Sequence, residues 1–341
     1  MSRKVSRLVA TEIALPRGIF SFSGQMRMDT FSLDLDELSI DFERYDDVAI
    51  HGLRLAMEAI RRHADEFPYW QRRKRVGRPG TDERTLLIVF MLQQLLGLTF
   101  RETEGVLALV KGYYTIEHVP DHSTMSRKLS SMRWSTLLDR FFEHLITPLP
   151  EREAVVITDA TGYSGRKRAW RATKHAQRAT EDWTKAHVTI EMDRFVILSF
   201  RLTRSNVHES QVFEAVWDAL PDNVVPIRSL ADSAYMGDDC LAVARRHGAT
   251  PLHKIKKNSK NREEPETFYE KLVNFARHWP NRFAALTAKR SHVETVFSMV
   301  DSLLGYRLRC RTRRGRRNEV RVKYCLFDMI QLAMTPEFWS A

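Results

Sequence analysis

Helix signals dominate residues 48–150, and short β-branched runs replace them from Ala154 onward. One helix is predicted over 48–66. Asp82 or Thr81 can cap a second that runs to Leu96 and stops at Gly97; Thr99 can cap a third over 100–111; Ser123 with Thr124 can cap a fourth through Met132. The last three, joined by short connections, predict a helix-turn-helix-like bundle. In that reading its final helix presents Thr124, Ser126, Arg127 and Lys128 to DNA. The plainer alternative is that these residues form the helix's wet face.

Beyond 150 the pattern is that of a sheet. Val155, Val156 and Ile157 read as a buried strand, 187–192 and 195–203 as two strands joined at Asp193 and Arg194, 225–230 as another and 250–255 as the last. Helical segments intervene near 210–220 and 239–247. Three successive strands followed by strands alternating with helices predict an α/β fold, a ribonuclease-H-like mixed sheet flanked by helices, behind an N-terminal helical region. The expected divisions are 1–47, an aperiodic segment open to partial disorder; 48–150, a helical DNA-binding region; and 151–335, the α/β domain.

Charge adds a partner. With 54 Lys plus Arg against 43 Asp plus Glu, the net charge is +11 and the pI about 9.7, which points to nucleic acid. The basic run Arg72, Arg73, Lys74 and Arg75, next to Tyr69 and Trp70, fits an arm along a phosphate backbone or an ordinary solvated loop equally well. Cys240, Cys310 and Cys325 are odd in number and lack Cys-x-x-Cys spacing, which argues against a disulfide framework or a zinc site and fits a reducing cytoplasm. The most apolar stretch, 86–98, is too short to span a bilayer and contains Gln93 and Gln94. No signal-peptide pattern opens the chain, and a cytoplasmic protein without membrane contact is expected.

The candidate chemistry lies in three carboxylates. Asp159 and Asp232 each follow an apolar run, the position that α/β sheets place at their carboxyl edge. On neighbouring strands they would share a hard cation such as Mg²⁺. The alternative role, capping a following helix, is weak for both: Asp238 suits the second site better than Asp232, and a turn, Ala-Thr-Gly-Tyr, follows Asp159. Glu294 borders a helical stripe of Val293, Val296, Phe297, Val300, Leu303 and Leu304. There a third carboxylate can join the cluster, or simply pair with Arg290 one turn earlier.

These segments resemble the DDE transposases of insertion sequences of the IS4 and IS5 type over about residues 85–335. The resemblance is carried by Thr158-Asp159-Ala160-Thr161-Gly162, Ala231-Asp232-Ser233-Ala234-Tyr235 and Arg290-Ser291-His292-Val293-Glu294-Thr295-Val296-Phe297, with Pro120-Asp121-His122-Ser123-Thr124-Met125-Ser126-Arg127 upstream. It implies that Asp159, Asp232 and Glu294 hold two Mg²⁺ ions, with Mn²⁺ a substitute, in a ribonuclease-H-like DDE catalytic domain. It also implies strand cleavage at element ends and 3′-hydroxyl strand transfer. The implied partners are double-stranded DNA, as terminal inverted repeats and target, and a second copy of the chain. In the family's motif a tyrosine precedes and a lysine follows the Arg290–Glu294 pair; here those positions hold Thr287 and Asp301.

Around such a site, Arg307, Arg309, Arg311, Arg313, Arg314, Arg316, Arg317, Arg321 and Lys323 are candidate phosphate contacts, as are Arg166, Lys167, Arg168, Arg171 and Lys174. Trp170 and Trp183 are candidate base-stacking residues, with packing the expected role for at least one. His208 and Glu209 follow the third strand, where Asn206 or Ser205 is expected to cap a helix. His175 and His187 are expected to be structural. Two other functional classes fit the same residues: a DNA-binding module that has lost catalysis, and a metal-dependent nuclease that cuts without joining.

Overall fold

The computed structural model describes residues 42–70, 80–164 and 183–334. The expectations for 1–41, the basic run within 71–79, and Arg166, Lys167, Arg168, Trp170, Arg171, Lys174 and His175 lie outside the described residues.

The helical region contains α1 (Phe42–Glu66), α2 (Glu83–Leu95), α3 (Phe100–Val110), α4 (His122–Leu129) and α5 (Met132–Ile146). Asp82 caps α2 by accepting from the Thr85 amide, and Thr99 forms a reciprocal capping box with Glu102 on α3. The cap of α4 is Asp121 rather than Ser123 or Thr124. Its carboxylate accepts from the amides and hydroxyls of both, and so outcompetes their own weaker hydroxyl caps. The expected final helix is shorter than its predicted run to Met132, and a further helix follows it. It ends at Leu129, and α5 follows with Trp134, Leu137, Leu138, Phe141, Phe142 and Leu145 buried on one stripe. Helix α2 is buried on nearly every side, including Gln93 and Gln94, which explains its unbroken apolar run.

The sheet has five strands in the order β3-β2-β1-β4-β5: β1 (Arg152–Tyr163), β2 (Thr184–Glu191), β3 (Ile197–Arg204), β4 (Val224–Ala231) and β5 (Thr250–His253). β2 is antiparallel to β1 and β3, whereas β4 is parallel to β1 and β5, so the sheet is mixed as expected. β1 is longer than its apolar core suggests. Residues 160–163 pair with His187, Ala186, Lys185 and Thr184 of β2, so the backbone groups expected to form a turn belong to a ladder instead. Trp183 lies on that extension at Gly162, where an added Cβ would come within 2.6 Å of the indole.

Helices cover both faces of the sheet. On one side α6 (Ser210–Trp217) and α7 (Asp238–Arg246) enclose Ala154, Val156, Leu198, Phe213, Trp217 and Cys240. On the other side lie α10 (His292–Leu304) and α11 (Arg313–Ala333), in one core with Ile157, Val188, Ile190 and the buried faces of α1, α2 and α5. Between β5 and α10 come α8 (Phe268–His278), α9 (Pro280–Thr287) and a 3₁₀ turn, Ala288–Ser291. This is a ribonuclease-H-like arrangement, a mixed five-stranded sheet flanked by helices.

Helix α11 packs on α5, α1, α2 and α4 as well as on α10 and strands β2 and β3. Val320, Val322, Tyr324, Leu326, Phe327 and Met329 are fully buried along it. Among the described residues no single helix is long and apolar enough to cross a membrane; α2 and α3 pass only as a pair bent by 113°.

Candidate active site

The parallel register of β1 and β4 pairs Thr158 with Ala231, which places Asp159 and Asp232 side by side one residue further on. Asp232 is just past the end of β4, as expected. Asp159 lies within β1, at the point where the parallel ladder stops and only β2 continues. Side chains alternate along a strand. Thr158 points to the α6 face, where its hydroxyl accepts from the Trp217 indole at 3.1 Å and meets the Thr189 hydroxyl at 2.9 Å. Asp159 therefore points to the α10 face.

There it meets Arg290. One arm of the guanidinium lies 3.5 Å from Asp159 Oδ2, and the other donates to Glu294 Oε1 at 2.9 Å. The i, i+4 Arg290–Glu294 pair considered from sequence is present, and the same arginine also ties it to β1. Glu294 sits in the first turn of α10, which holds its place on the sheet through buried Val293, Val296, Val300 and Leu304. At the far end of that helix the buried Lys323 ammonium donates to the carbonyls of Leu304 and Gly305. A cation at a helix C-terminus is electrostatically favourable.

Burial pushes the Asp159 carboxyl up to about 6. The Ala160 amide and the Arg290 guanidinium oppose that rise, and the negative charges of Asp232 and Glu294 add to it. The centre thus holds more anionic charge than its one bridging arginine offsets. Three oxygen-donor groups, one of them largely desolvated, are the chemistry of a hard divalent cation site. The three carboxylates are not all within 4.8 Å of one another; among the described residues the group that satisfies that distance is His63, Glu66 and His144. Arg290 lies between two of the three carboxylates, Asp159 and Glu294.

Asp232 is kept clear of capping. It precedes the 3₁₀ turn Ser233–Tyr235 without a side-chain cap bond, while α7 starts after Gly237 with Asp238 as its first helical residue, not its cap. The turn is pinned from below by fully buried His253, whose ring contacts the Tyr235 carbonyl at 3.0 Å and the Ser229 hydroxyl at 2.8 Å. Burial lowers the His253 pKa to about 4, so the ring is neutral. Neither His253 nor Trp217 stands out in the sequence. Both act through partners that only the strand register brings near.

The basic candidates divide. Arg127 is exposed on α4, Lys128 is half-buried, and Thr124 is committed to the Asp121 cap, so the outward-facing set expected there is reduced. Arg309 is exposed, with its guanidinium donating to the Gly97 carbonyl; Arg313 is half-buried in the first turn of α11. Arg321 forms a two-armed pair with Asp139 at 2.7 and 3.2 Å, and Lys323 is buried, so neither extends a phosphate-binding surface. Trp183 packs on Gly162. His187 is buried against Thr203, as a structural residue should be. Neither Asn206 nor Ser205 caps α6: the residue before the helix is Glu209, paired with Lys185 at 2.5 Å, and His208 accepts from the Ser210 amide.

Comparison with curated protein sequences finds no match. Residues 150–327, just over half the chain and the whole span from β1 to the middle of α11, match the family model of the transposase DDE domain. The chain belongs to the DDE transposase domain family, whose members act on DNA.

Proposed function

We propose that this protein is a transposase of the IS4/IS5 type that cleaves DNA at the ends of an insertion sequence and joins the freed 3′-hydroxyl to target DNA. The observation that carries the reading is the meeting of Asp159 and Glu294 on one guanidinium, with Asp232 beside Asp159 in the strand register. Asp159, Asp232 and Glu294 would hold the divalent cations, two Mg²⁺ with Mn²⁺ as substitute. Bound there, such ions supply positive charge to a phosphodiester and polarise the attacking and leaving oxygens.

The chain's own residues set the geometry. β1 and β4 present the two aspartates on rigid backbone, and the Trp217–Thr158–Thr189 contacts fix β1 from its opposite face. α10 delivers Glu294, and Arg290 holds it toward Asp159 while offering positive charge to a phosphate. In the first step water breaks a P–O3′ bond, leaving a 3′-hydroxyl and a 5′-phosphate. In the second that hydroxyl attacks a target phosphodiester, forming a new P–O bond and releasing a target 3′-hydroxyl. Both steps move a phosphoryl group between oxygens, so no covalent protein nucleophile is needed. Exposed Arg127 and Arg309, together with Lys128 and Arg313, form the proposed DNA surface, and handling two element ends calls for a dimer on DNA.

The test combines purified protein, Mg²⁺ or Mn²⁺, a labelled inverted-repeat end and a plasmid target. Joined product is expected from the wild type, and none, with DNA binding retained, from Asp159→Ala. Cleavage without joining would favour a nuclease. Binding without cleavage would favour a module that has lost catalysis, the reading suggested by Thr287 and Asp301 at the family's tyrosine and lysine positions. Unchanged cleavage by Asp159→Ala would sink the assignment of the site.

A further inference from the structure

His63 and Glu66 lie one turn apart at the end of α1, and His144 reaches the same place from the last turn of α5. One ligand atom from each residue falls within 4.8 Å of the other two. The site is walled by aromatic rings: Phe67 stands edge-on to Phe141 at 5.2 Å and to the His144 ring at 5.5 Å. His63 is buried and His144 half-buried, and burial lowers both imidazole pKa values, His63 to about 4 with Arg62 adding to the effect. Neutral imidazoles are the form that binds metal. Glu66 is held loosely, 3.7 Å from Arg62 and 4.0 Å from His63 Nδ1, both beyond hydrogen-bonding distance. Its side chain is exposed and so is not packed in place.

We propose that His63, Glu66 and His144 bind one divalent transition-metal cation of the zinc class and thereby clamp α1 to α5. Two imidazoles and one carboxylate are a recognised three-ligand zinc set that leaves a fourth position to water. The nitrogen donors select against Mg²⁺, which prefers oxygen, and so separate this site from the carboxylate centre on the sheet. The cation would fix α1 on the bundle that α11 shares with the catalytic sheet. Sequence spacing hides the set, because its members come from two helices far apart in the chain.

The experiment uses the full chain without a histidine tag, stripped of metal by a chelator and titrated with Co²⁺ as a spectroscopic probe. Ligand-field bands of four-coordinate Co²⁺ are expected in the wild type and in Asp159→Asn, which alters only the sheet-edge centre. Glu66→Gln and His144→Gln should weaken Co²⁺ binding by more than the roughly 10- to 100-fold that outer-shell changes cost. Zn²⁺ should raise the thermal unfolding midpoint of the wild type and of Asp159→Asn but not of the two ligand variants. Glu66→Gln replaces an exposed side chain at a helix end and preserves the test if His144→Gln fails to fold. The proposal is overturned if the wild type shows no such bands, if Glu66→Gln keeps both the bands and the Zn²⁺ shift, or if Asp159→Asn loses them.

Discussion

Arg290 touches two carboxylates that belong to different layers of the molecule, one on a strand and one on a helix. A guanidinium suits this because its planar fork presents donors in two directions at once, which a lysine ammonium on a flexible stem does not reproduce. Arg290→Ala would leave Asp159 and Glu294 repelling each other across the proposed site. It is expected to slow strand cleavage by about 100-fold, a typical cost of removing one preorganised electrostatic group. Arg290→Lys should recover only part of that loss. Single-turnover cleavage of a labelled element end, compared at saturating divalent metal, checks both; an unimpaired lysine variant would mean that the bridge does not position Glu294.

At the scale of elements, the seam between β4 and β5 depends on a histidine that must stay neutral. His253 titrates near 4 in the fold instead of at its ordinary value of 6.5, so between these pH values the unfolded chain binds more protons at this position. Its contribution to stability is intact above pH 6.5 and falls as pH drops through the window, by on the order of 3 kcal/mol when complete. His253→Gln should therefore show a shallower loss of urea midpoint between pH 7.5 and 4.5 than the wild type. Parallel midpoint curves would rule out this histidine as a source of acid sensitivity.

The same elements show what the sequence made legible. Short apolar runs announce β1, β3 and β4; β2, marked only by Val188, Thr189 and Ile190, is buried along its whole length although it carries Lys185, His187 and Glu191. The run of β4 marks Asp232 as a strand-end residue. The extension of β1 past Asp159 was hidden, since its residues are held by pairing with β2 and not by burial. Arg313, Arg314, Arg316 and Arg317 at its start give the α11 segment the look of a run of phosphate contacts. Its apolar continuation is buried on almost all sides and shows no one-sided stripe. His253, Trp217 and the two-sided reach of Arg290 depend on contacts between distant segments, which composition does not encode.

For the whole molecule, a net charge of +11 measures how much basic surface is present, not which residues carry it to DNA. Arg127 and Arg309 are exposed, whereas Arg321 is engaged by Asp139 against the α5–α11 interface. Arg127→Ala and Arg309→Ala are each expected to reduce the slope of log affinity against log salt by about 1. Arg321→Ala should leave that slope unchanged and instead lower the unfolding midpoint. Filter-binding across a salt series, paired with thermal unfolding, separates the two classes; a reduced slope for Arg321→Ala would place it among the phosphate contacts.

Helix α11 also sets the order in which this molecule can be made. Strands β1 to β5 and helices α1, α2 and α5 are all synthesised before the segment that fills the space between them. Until it emerges, α5 lacks its main packing partner, and α10 lacks the lysine that secures its end. Contacts of such long sequence separation form late, so the native fold cannot be complete before α11 has emerged. A nascent chain from which α11 has not yet emerged would then carry all three carboxylates without the helix that completes the fold around them, and is expected to stay inert toward DNA until that helix docks.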